Sequence, residues 1–341
     1  MARRRVAAQT TVALAVSLAL SACGATASSD GAAATSLLHW SGVLHSKRVV
    51  DLAGPRSDGT VVVATNGRLA LLSPGGRIRA FARGPHGYSG SAGLEPYIAL
   101  STGNRDRAAG CGFGTDVVYA LRLNSTRGVT AIDGGGVAHD FANLPGPGLE
   151  NGIAFDDTGR SAHRLLVTSV ANKKTTVFAI DCRGRATTLT SSAPRVEGGI
   201  AVAPASFGRF AGDLIAPDEI TGNVYAVAPD GHSALVAGSG IAHGQDIGVE
   251  SGGFVPAGFG SGRTALVSDR LTPRNRHPGD DLVLGLTGAA VTGAGVRAGD
   301  LVLVGEGGGA TIDIACGVTC RVREIATGPA VAHIEGHVVF R

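Results

Sequence analysis

Glu150-Asn151-Gly152-Ile153-Ala154-Phe155 and, 47 residues on, Glu197-Gly198-Gly199-Ile200-Ala201-Val202 share one pattern: an acid, two residues, then a short apolar strand. Glu95-Pro96-Tyr97-Ile98-Ala99-Leu100 carries it 55 residues earlier. Weaker copies follow at Asp246-Ile247-Gly248-Val249 and Glu335-Gly336-His337-Val338-Val339-Phe340. The last gap, 89 residues, is about two units and predicts a copy near 285–292 that has lost its acid. Self-similarity at about 48 residues is the mark of a repeat architecture.

Two further phrases recur inside each unit. Gly212-Asp213-Leu214-Ile215-Ala216 matches Gly299-Asp300-Leu301-Val302-Leu303, and Leu165-Leu166-Val167 and Ala265-Leu266-Val267 fill the same slot. Thr176-Val177-Phe178-Ala179-Ile180 matches Asn223-Val224-Tyr225-Ala226-Val227, each followed by a turn ending in Gly. Residues 68–76 and 117–121 resemble them. Each unit therefore holds about four strands, and four-stranded units of 40–50 residues are β-propeller blades. The reading is an all-β, six-bladed propeller over residues 41–341. The strand at 338–340 has no blade of its own, so strands at 48–52, 61–65, 68–72 and 77–82 are expected to complete it, closing the ring by pairing the two chain ends. A seventh blade or a β-sandwich fits the spacing less well.

Composition agrees. Gly supplies 53 of 341 residues, roughly twice the usual share of about 7%, as expected for many tight turns. With 44% hydrophobic and 17% charged residues, the chain is too apolar for disorder. Only 4% of residues are aromatic, which argues against stacked nucleic-acid platforms. The formal charge of +3 resides in Arg3, Arg4 and Arg5, and no basic patch remains, so no nucleic-acid partner is expected.

Those arginines open an address. An apolar run follows to Leu20, then Ser21-Ala22-Cys23, the layout of a secretory signal with a box similar to that of bacterial lipoproteins. The resemblance implies cleavage before Cys23 and lipidation of its thiol. An ordinary cleaved signal is the alternative. The expected organisation is a signal peptide at 1–22, a lipidated Cys and flexible tether at 23–40, then the propeller. The protein would sit on the outer face of the cell membrane as a monomer held only by lipid. An exported chain favours disulfides. Cys316 and Cys320 are the candidate pair, with a metal-binding pair as the alternative. Cys111 reads as lying in a strand 2–3 loop and Cys182 in a strand 3–4 turn, on opposite faces.

The first strand of a propeller blade lines the central channel. The repeat therefore gathers Glu95, Glu150, Glu197, Asp246 and Glu335 near one mouth, with Asn151 beside Glu150. Strand 2–3 loops add Asp218, Glu219, Asp269 and Glu306 on that side. Converging carboxylates repel unless neutralised. Ca²⁺ or another divalent cation would do this, as would Arg105, Arg107 or Arg270, or hydrogen bonds to backbone N–H groups between blades. Recurring Ala-His pairs at 139, 243 and 333, with His86 and His337, offer bases. His243 and His337 are the candidates.

The phrase Glu150-Asn151-Gly152-Ile153-Ala154-Phe155-Asp156-Asp157-Thr158-Gly159, with Val196-Glu197-Gly198-Gly199-Ile200 and Leu94-Glu95-Pro96, resembles the regucalcin–gluconolactonase–paraoxonase group of NHL-like six-bladed propellers. That resemblance implies a divalent metal in the channel, held by a Glu, one or two Asn and an Asp. It maps onto Glu95 and Asn151. Glu197 stands one position before the group's Asp, and no second Asn appears near 246. The function expected is binding of a ligand or protein through an acidic top face. A metal-dependent lactonase or esterase is the alternative, and a quinone-dependent sugar dehydrogenase is disfavoured for want of a cofactor set.

Overall fold

Apolar β-branched runs such as Val61–Thr65, buried along almost its whole length, form the middle strands of stacked antiparallel sheets. Strands bearing charged or polar residues, such as Ile78–Ala82 and Ser233–Gly238, form exposed outer edges. The computed structural model describes residues 36–65, 67–82, 95–123 and 126–341. The signal, Cys23 and most of the tether lie outside them, as does His86.

Four sheets have four strands each. Val49–Ala53, Val61–Thr65, Arg68–Leu72 and Ile78–Ala82 make the first, and Ile98–Leu100, Val118–Arg122, Gly128–Ile132 and Ala138–Asn143 the second. Leu149–Phe155, Leu165–Ala171, Lys174–Ile180 and Ala186–Pro194 make the third, and Ala201–Val202, Leu214–Asp218, Asn223–Val227 and Ser233–Gly238 the fourth. A nine-stranded mixed sheet holds the rest. The chain is an all-β propeller with four separate blades and this one large sheet.

The large sheet has two antiparallel runs. In one, Val249–Phe254 pairs with Leu301–Gly305, followed by Thr311–Cys316 and Cys320–Thr327. In the other, Ile334–Phe340 pairs with Thr264–Asp269, followed by Leu282–Thr287 and Ser41–His45. A single parallel bridge, Gly252 to His337, joins the two runs.

Three expectations are corrected here. The strands at 49–82 form their own sheet, and the C-terminal strand pairs with Thr264–Asp269, not with them. The first described strands, Leu38–His39 and Ser41–His45, and the C-terminal strand all enter the nine-stranded sheet, without pairing with each other. No channel strand starts near 290, where Gly288–Gly293 is a short helix with Thr287 as its N-cap. The fold also begins inside the span read as tether. Leu38–His39 pairs parallel with Cys320–Thr327, and Trp40 is buried with its Nε1 donating to Thr311 Oγ1 at 2.7 Å.

The core is distributed between sheets. Val62, Leu69 and Leu71 of the first sheet meet Val118 and Ile132 of the second. Equivalent clusters lie between the second and third sheets, the third and fourth, and the fourth and the large sheet. One lies between the two runs of the large sheet, and another packs Leu266, Val283 and Val339 against Val49, Val61 and Leu72 of the first. Channel-lining strands approach so closely that Gly199 has no room for a side chain: a Cβ there would lie 2.1 Å from Gly336 O and 2.5 Å from Gly252 N.

Two disulfides bear on topology. Cys316–Cys320 is a disulfide closing a hairpin. Cys111 is also bonded, to Cys182, contrary to the opposite-face reading. Cys111 sits in a hairpin, Arg105–Asp106 with Cys111–Gly112, between the first and second strands of its blade. Strand 1–2 connections and strand 3–4 turns lie on the same face, so the two thiols meet.

Candidate functional site

Acids at or just before three channel strands, Glu95, Glu250 and Glu335, and loops after second strands, bearing Glu219, Arg270 and Glu306, reach the same mouth. Tyr97, fully buried, is the hub. Its hydroxyl stands 2.6 Å from Glu250 Oε1, 2.8 Å from Glu335 Oε2 and 3.2 Å from Glu95 Oε2. A phenol has one proton to donate and lone pairs to accept with, so three such contacts require protons on some of the carboxyls. Arg270 Nη1 bridges Glu95 Oε1 at 2.8 Å and Glu335 Oε1 at 3.1 Å. His333 Nε2 stands 3.1 Å from both Glu306 Oε1 and Glu335 Oε1. Glu306 Oε2 is buried with no hydrogen-bond partner.

At the rim, Arg195 holds three acids together. It pairs with Asp218 at 3.1 Å, with Glu219 at 2.9 Å, and with Glu197. Three sets of side chains each bring ligand atoms within 4.8 Å of one another: Glu306–His333–Glu335, Glu95–Glu250–Glu335 and Glu219–Glu250–Glu306.

Crowding sets the proton affinities. Burial, then the Glu335 charge, pushes Glu95 up to about 7. Burial pushes Glu197 up to about 8 against the pull of Arg195. Burial and the neighbouring Glu335, Glu219 and Asp246 raise Glu306 to about 11, and burial with Glu335 and Glu306 raises Glu250 well above the carboxylate range. Glu335 goes the other way. Burial acts upward, but the His333 hydrogen bond and Arg270 hold it at about 2. Glu335 is thus the fixed anion of the cluster, and Glu250 and Glu306 are held as acids by burial and by their neighbours.

Not every sequence candidate joins. Glu95 and Glu335 are in the cluster, and Glu197 is at its rim. Glu150 is buried elsewhere and pairs with Arg127. Asn151, the residue the family resemblance favoured, donates Nδ2 to Val196 O at 2.6 Å and accepts from Thr168 Oγ1 at 3.0 Å. Both ends of its amide tie neighbouring strands together, so the Glu–Asn–Asp set implied by the resemblance does not assemble here. Asp246 is exposed, and its backbone N–H donates to Glu219 Oε2 at 3.3 Å. Asp269 accepts from the backbone N–H groups of His333 and Asp280. Arg105 and Arg107 belong to the strand 1–2 hairpin and do not serve the mouth; Arg270 does.

The candidate bases are also placed differently. His243 is exposed, with Nδ1 3.2 Å from Ile220 O. His337 spans the channel: Nδ1 lies 3.0 Å from both oxygens of Asp51, and Nε2 lies 3.1 Å from Ile153 O. Burial lowers its proton affinity, but the Asp51 carboxylate outweighs that and raises it. Asp51 also accepts from the backbone N–H groups of Leu52, Ile98 and His337. This pair is a crossbeam, not a free base. Beyond it, a cavity of about 260 Å³ opens towards the other mouth, lined by Leu52, Ile98, Ile153, Ile200, Gly252 and Val338 among others.

Sequence reasoning missed Glu250, Tyr97 and Asp51. The repeat gave its acid slot to Asp246, although Glu250 lies at the strand irregularity between Val249 and Ser251, as Asn151 does between Glu150 and Gly152. That shared bulge position was the available signal.

No family model and no curated protein matches the chain. Solved structures do. A TolB-like protein from Agrobacterium tumefaciens is similar at 11% identity and a TM-score of 0.50, over 85% of this chain and 90% of that one. Virginiamycin B lyase from Staphylococcus aureus matches at 10% identity and a TM-score of 0.47, over 83% of this chain and 72% of that one. A gluconolactonase from Xanthomonas campestris matches at 13% identity and a TM-score of 0.36, over 72% of this chain and 88% of that one. At these identities the likeness is one of fold: the chain is a β-propeller.

Proposed function

We propose that this chain is an exported six-bladed propeller that captures a ligand or protein partner at its acidic mouth, with a divalent cation as part of the binding surface. The blade count takes the nine-stranded sheet as two blades. Its two runs, each headed by a channel strand, support that count, as do the clusters that alternate with the sheets around the channel. Lipidated Cys23 would tether it to the outer face of the membrane.

The observation that carries the binding reading is the imbalance of buried charge. Among the described residues, Glu95, Glu197, Asp218, Glu219, Glu250, Glu306 and Glu335 converge on two guanidiniums, Arg195 and Arg270. Buried carboxylates without counter-charge are costly, and a hard cation satisfies several at once. Glu306 Oε2, unpartnered and 4% exposed, is a ligand atom in waiting. Isothermal titration of the mature full-length chain with Ca²⁺, Mn²⁺ and Zn²⁺ tests this. Saturable binding that weakens at least tenfold in Glu306→Gln supports it, and no heat with any of the three refutes it.

A metal-dependent lactonase or esterase is the second reading. It is favoured by Glu197, a half-buried rim carboxyl whose proton affinity near neutrality suits a general acid or base. Against it stands Asn151, whose amide is already committed. Metal-stimulated hydrolysis of an aryl ester or aldonolactone, lost in Glu197→Gln, would select this reading over simple capture.

A further inference from the structure

Resting on the reading that the mouth holds a cation, we propose that the site is dinuclear. One ion lies among Glu306, His333 and Glu335, a second among Glu95, Glu250 and Glu335, and Glu335 bridges them. The two sets share only that residue, and its oxygens face different ways. Oε1 lies 3.1 Å from His333 Nε2 and 3.1 Å from Arg270 Nη1, while Oε2 lies 2.8 Å from the Tyr97 hydroxyl that also touches Glu250 and Glu95. A carboxylate with one oxygen towards each of two ligand sets is the bridge of two-metal sites, whose ions stand about 3.5–4 Å apart.

Charge points to the same number. With every carboxyl deprotonated, as a ligand must be, seven carboxylates against two guanidiniums leave an excess of five negative charges. One divalent ion leaves three, and two leave one, with His333 neutral as a ligand must be. The unpartnered buried Glu306 Oε2 is independent of the cluster's internal hydrogen bonds. Glu306 also stands within reach of Glu219 and Glu250, so the carboxylates surround the first position from more than one side.

The two positions differ in chemistry. The first mixes imidazole nitrogen with carboxylate oxygen, which suits a transition ion; the second is all oxygen, which suits Ca²⁺, Mg²⁺ or Mn²⁺. Mn²⁺ satisfies both and is the probe. The mature full-length chain is dialysed against Mn²⁺, its metal content measured, and its electron paramagnetic resonance spectrum recorded. Two Mn²⁺ per chain with an exchange-coupled spectrum is the expected result. Glu95→Gln, altering a partly exposed residue, should leave one ion with an isolated six-line spectrum. Glu335→Gln should abolish the coupling while keeping the circular dichroism spectrum of the parent. One uncoupled Mn²⁺ in the parent overturns the dinuclear proposal and leaves the mouth as a cation site. No bound Mn²⁺, Ca²⁺ or Zn²⁺ overturns both.

Discussion

Replacing Arg270 with Met keeps an unbranched apolar stem and removes the only guanidinium that touches both Glu95 and Glu335 among the described residues. Glu335 is 1% exposed, so water does not replace the lost charge. Breaking a buried pair from one side costs about 3–5 kcal/mol. Glu335 keeps His333 Nε2 and the Tyr97 hydroxyl, which places the expected cost at the lower end, about 3 kcal/mol. With an unfolding entropy of about 2.1 cal/mol/K per residue, a unit of this length loses about 5 °C in Tm. The loss must also depend on pH. The Glu335 carboxyl is held at about 2, below its ordinary 4.5, by His333 and Arg270 against burial. A depressed folded value contributes stability that is present above 4.5 and fades as pH falls towards 2. The deficit of Arg270→Met is therefore full at pH 7 and shrinks between pH 4.5 and 2. Calorimetry of the metal-free chain measures it. An unchanged Tm at pH 7, or a deficit that widens below pH 4, would refute the assignment of Glu335 as the fixed anion.

Other predictions follow from the same contacts. Glu95, Glu197 and Glu306 are raised by burial and neighbouring acids to about 7, 8 and 11, so their stabilisation is present below about 4.5 and lost as pH rises through those values. The metal-free protein should melt several degrees higher at pH 5 than at pH 8, and saturating Mn²⁺ should close that gap; a melting temperature flat across this range would count against the buried cluster. Gly199→Ala forces a methyl onto the backbone of Gly336 and Gly252, and melting should show a loss of at least the ~1–3 kcal/mol typical of overpacking. Cys111 and Cys182 are 71 residues apart, Cys316 and Cys320 only 4, so by loop length Ser replacement of the first pair should cost about 4 kcal/mol and of the second about 2. Cys23→Ser should lose metabolic fatty-acid label and membrane association; retention of both would disprove the anchor.

What the sequence made legible was whatever is local to a blade. The slot filled by Leu165, Leu214, Ala265 and Leu301 is the second strand in each case, because that strand is largely buried on both faces and carries an apolar run. The acids three residues before Ile98 and Val338, Glu95 and Glu335, reach the mouth because inner strands share one direction. Strand choice between neighbours was not legible. Val249–Phe254 and Ile334–Phe340 run parallel and adjacent, and nothing in either sequence says which pairs with Thr264–Asp269 and which with Leu301–Gly305. The likeness of residues 117–121 to third strands misled for a related reason: Val118–Arg122 is a second strand, and buried strands of either rank look alike. That shift carried Cys111 to the wrong face. Tyr97 read as one of the two residues between Glu95 and the strand at Ile98, although its hydroxyl organises three carboxyls. Asp51, inside the otherwise apolar Val49–Ala53, lay outside the acid repeat, and only the fold brings it to His337.

The central claim is that the gathered acids hold cations. Anomalous diffraction from crystals of the protein grown with Mn²⁺, measured at the manganese edge, tests it most directly. The account predicts a peak bounded by Glu306, His333 and Glu335, and a second beyond Glu335 towards Glu95 and Glu250. Density without anomalous signal in that space, with His333 still bonded to Glu306 and Glu335 and the Tyr97 hydroxyl still among its three carboxyls, would contradict it.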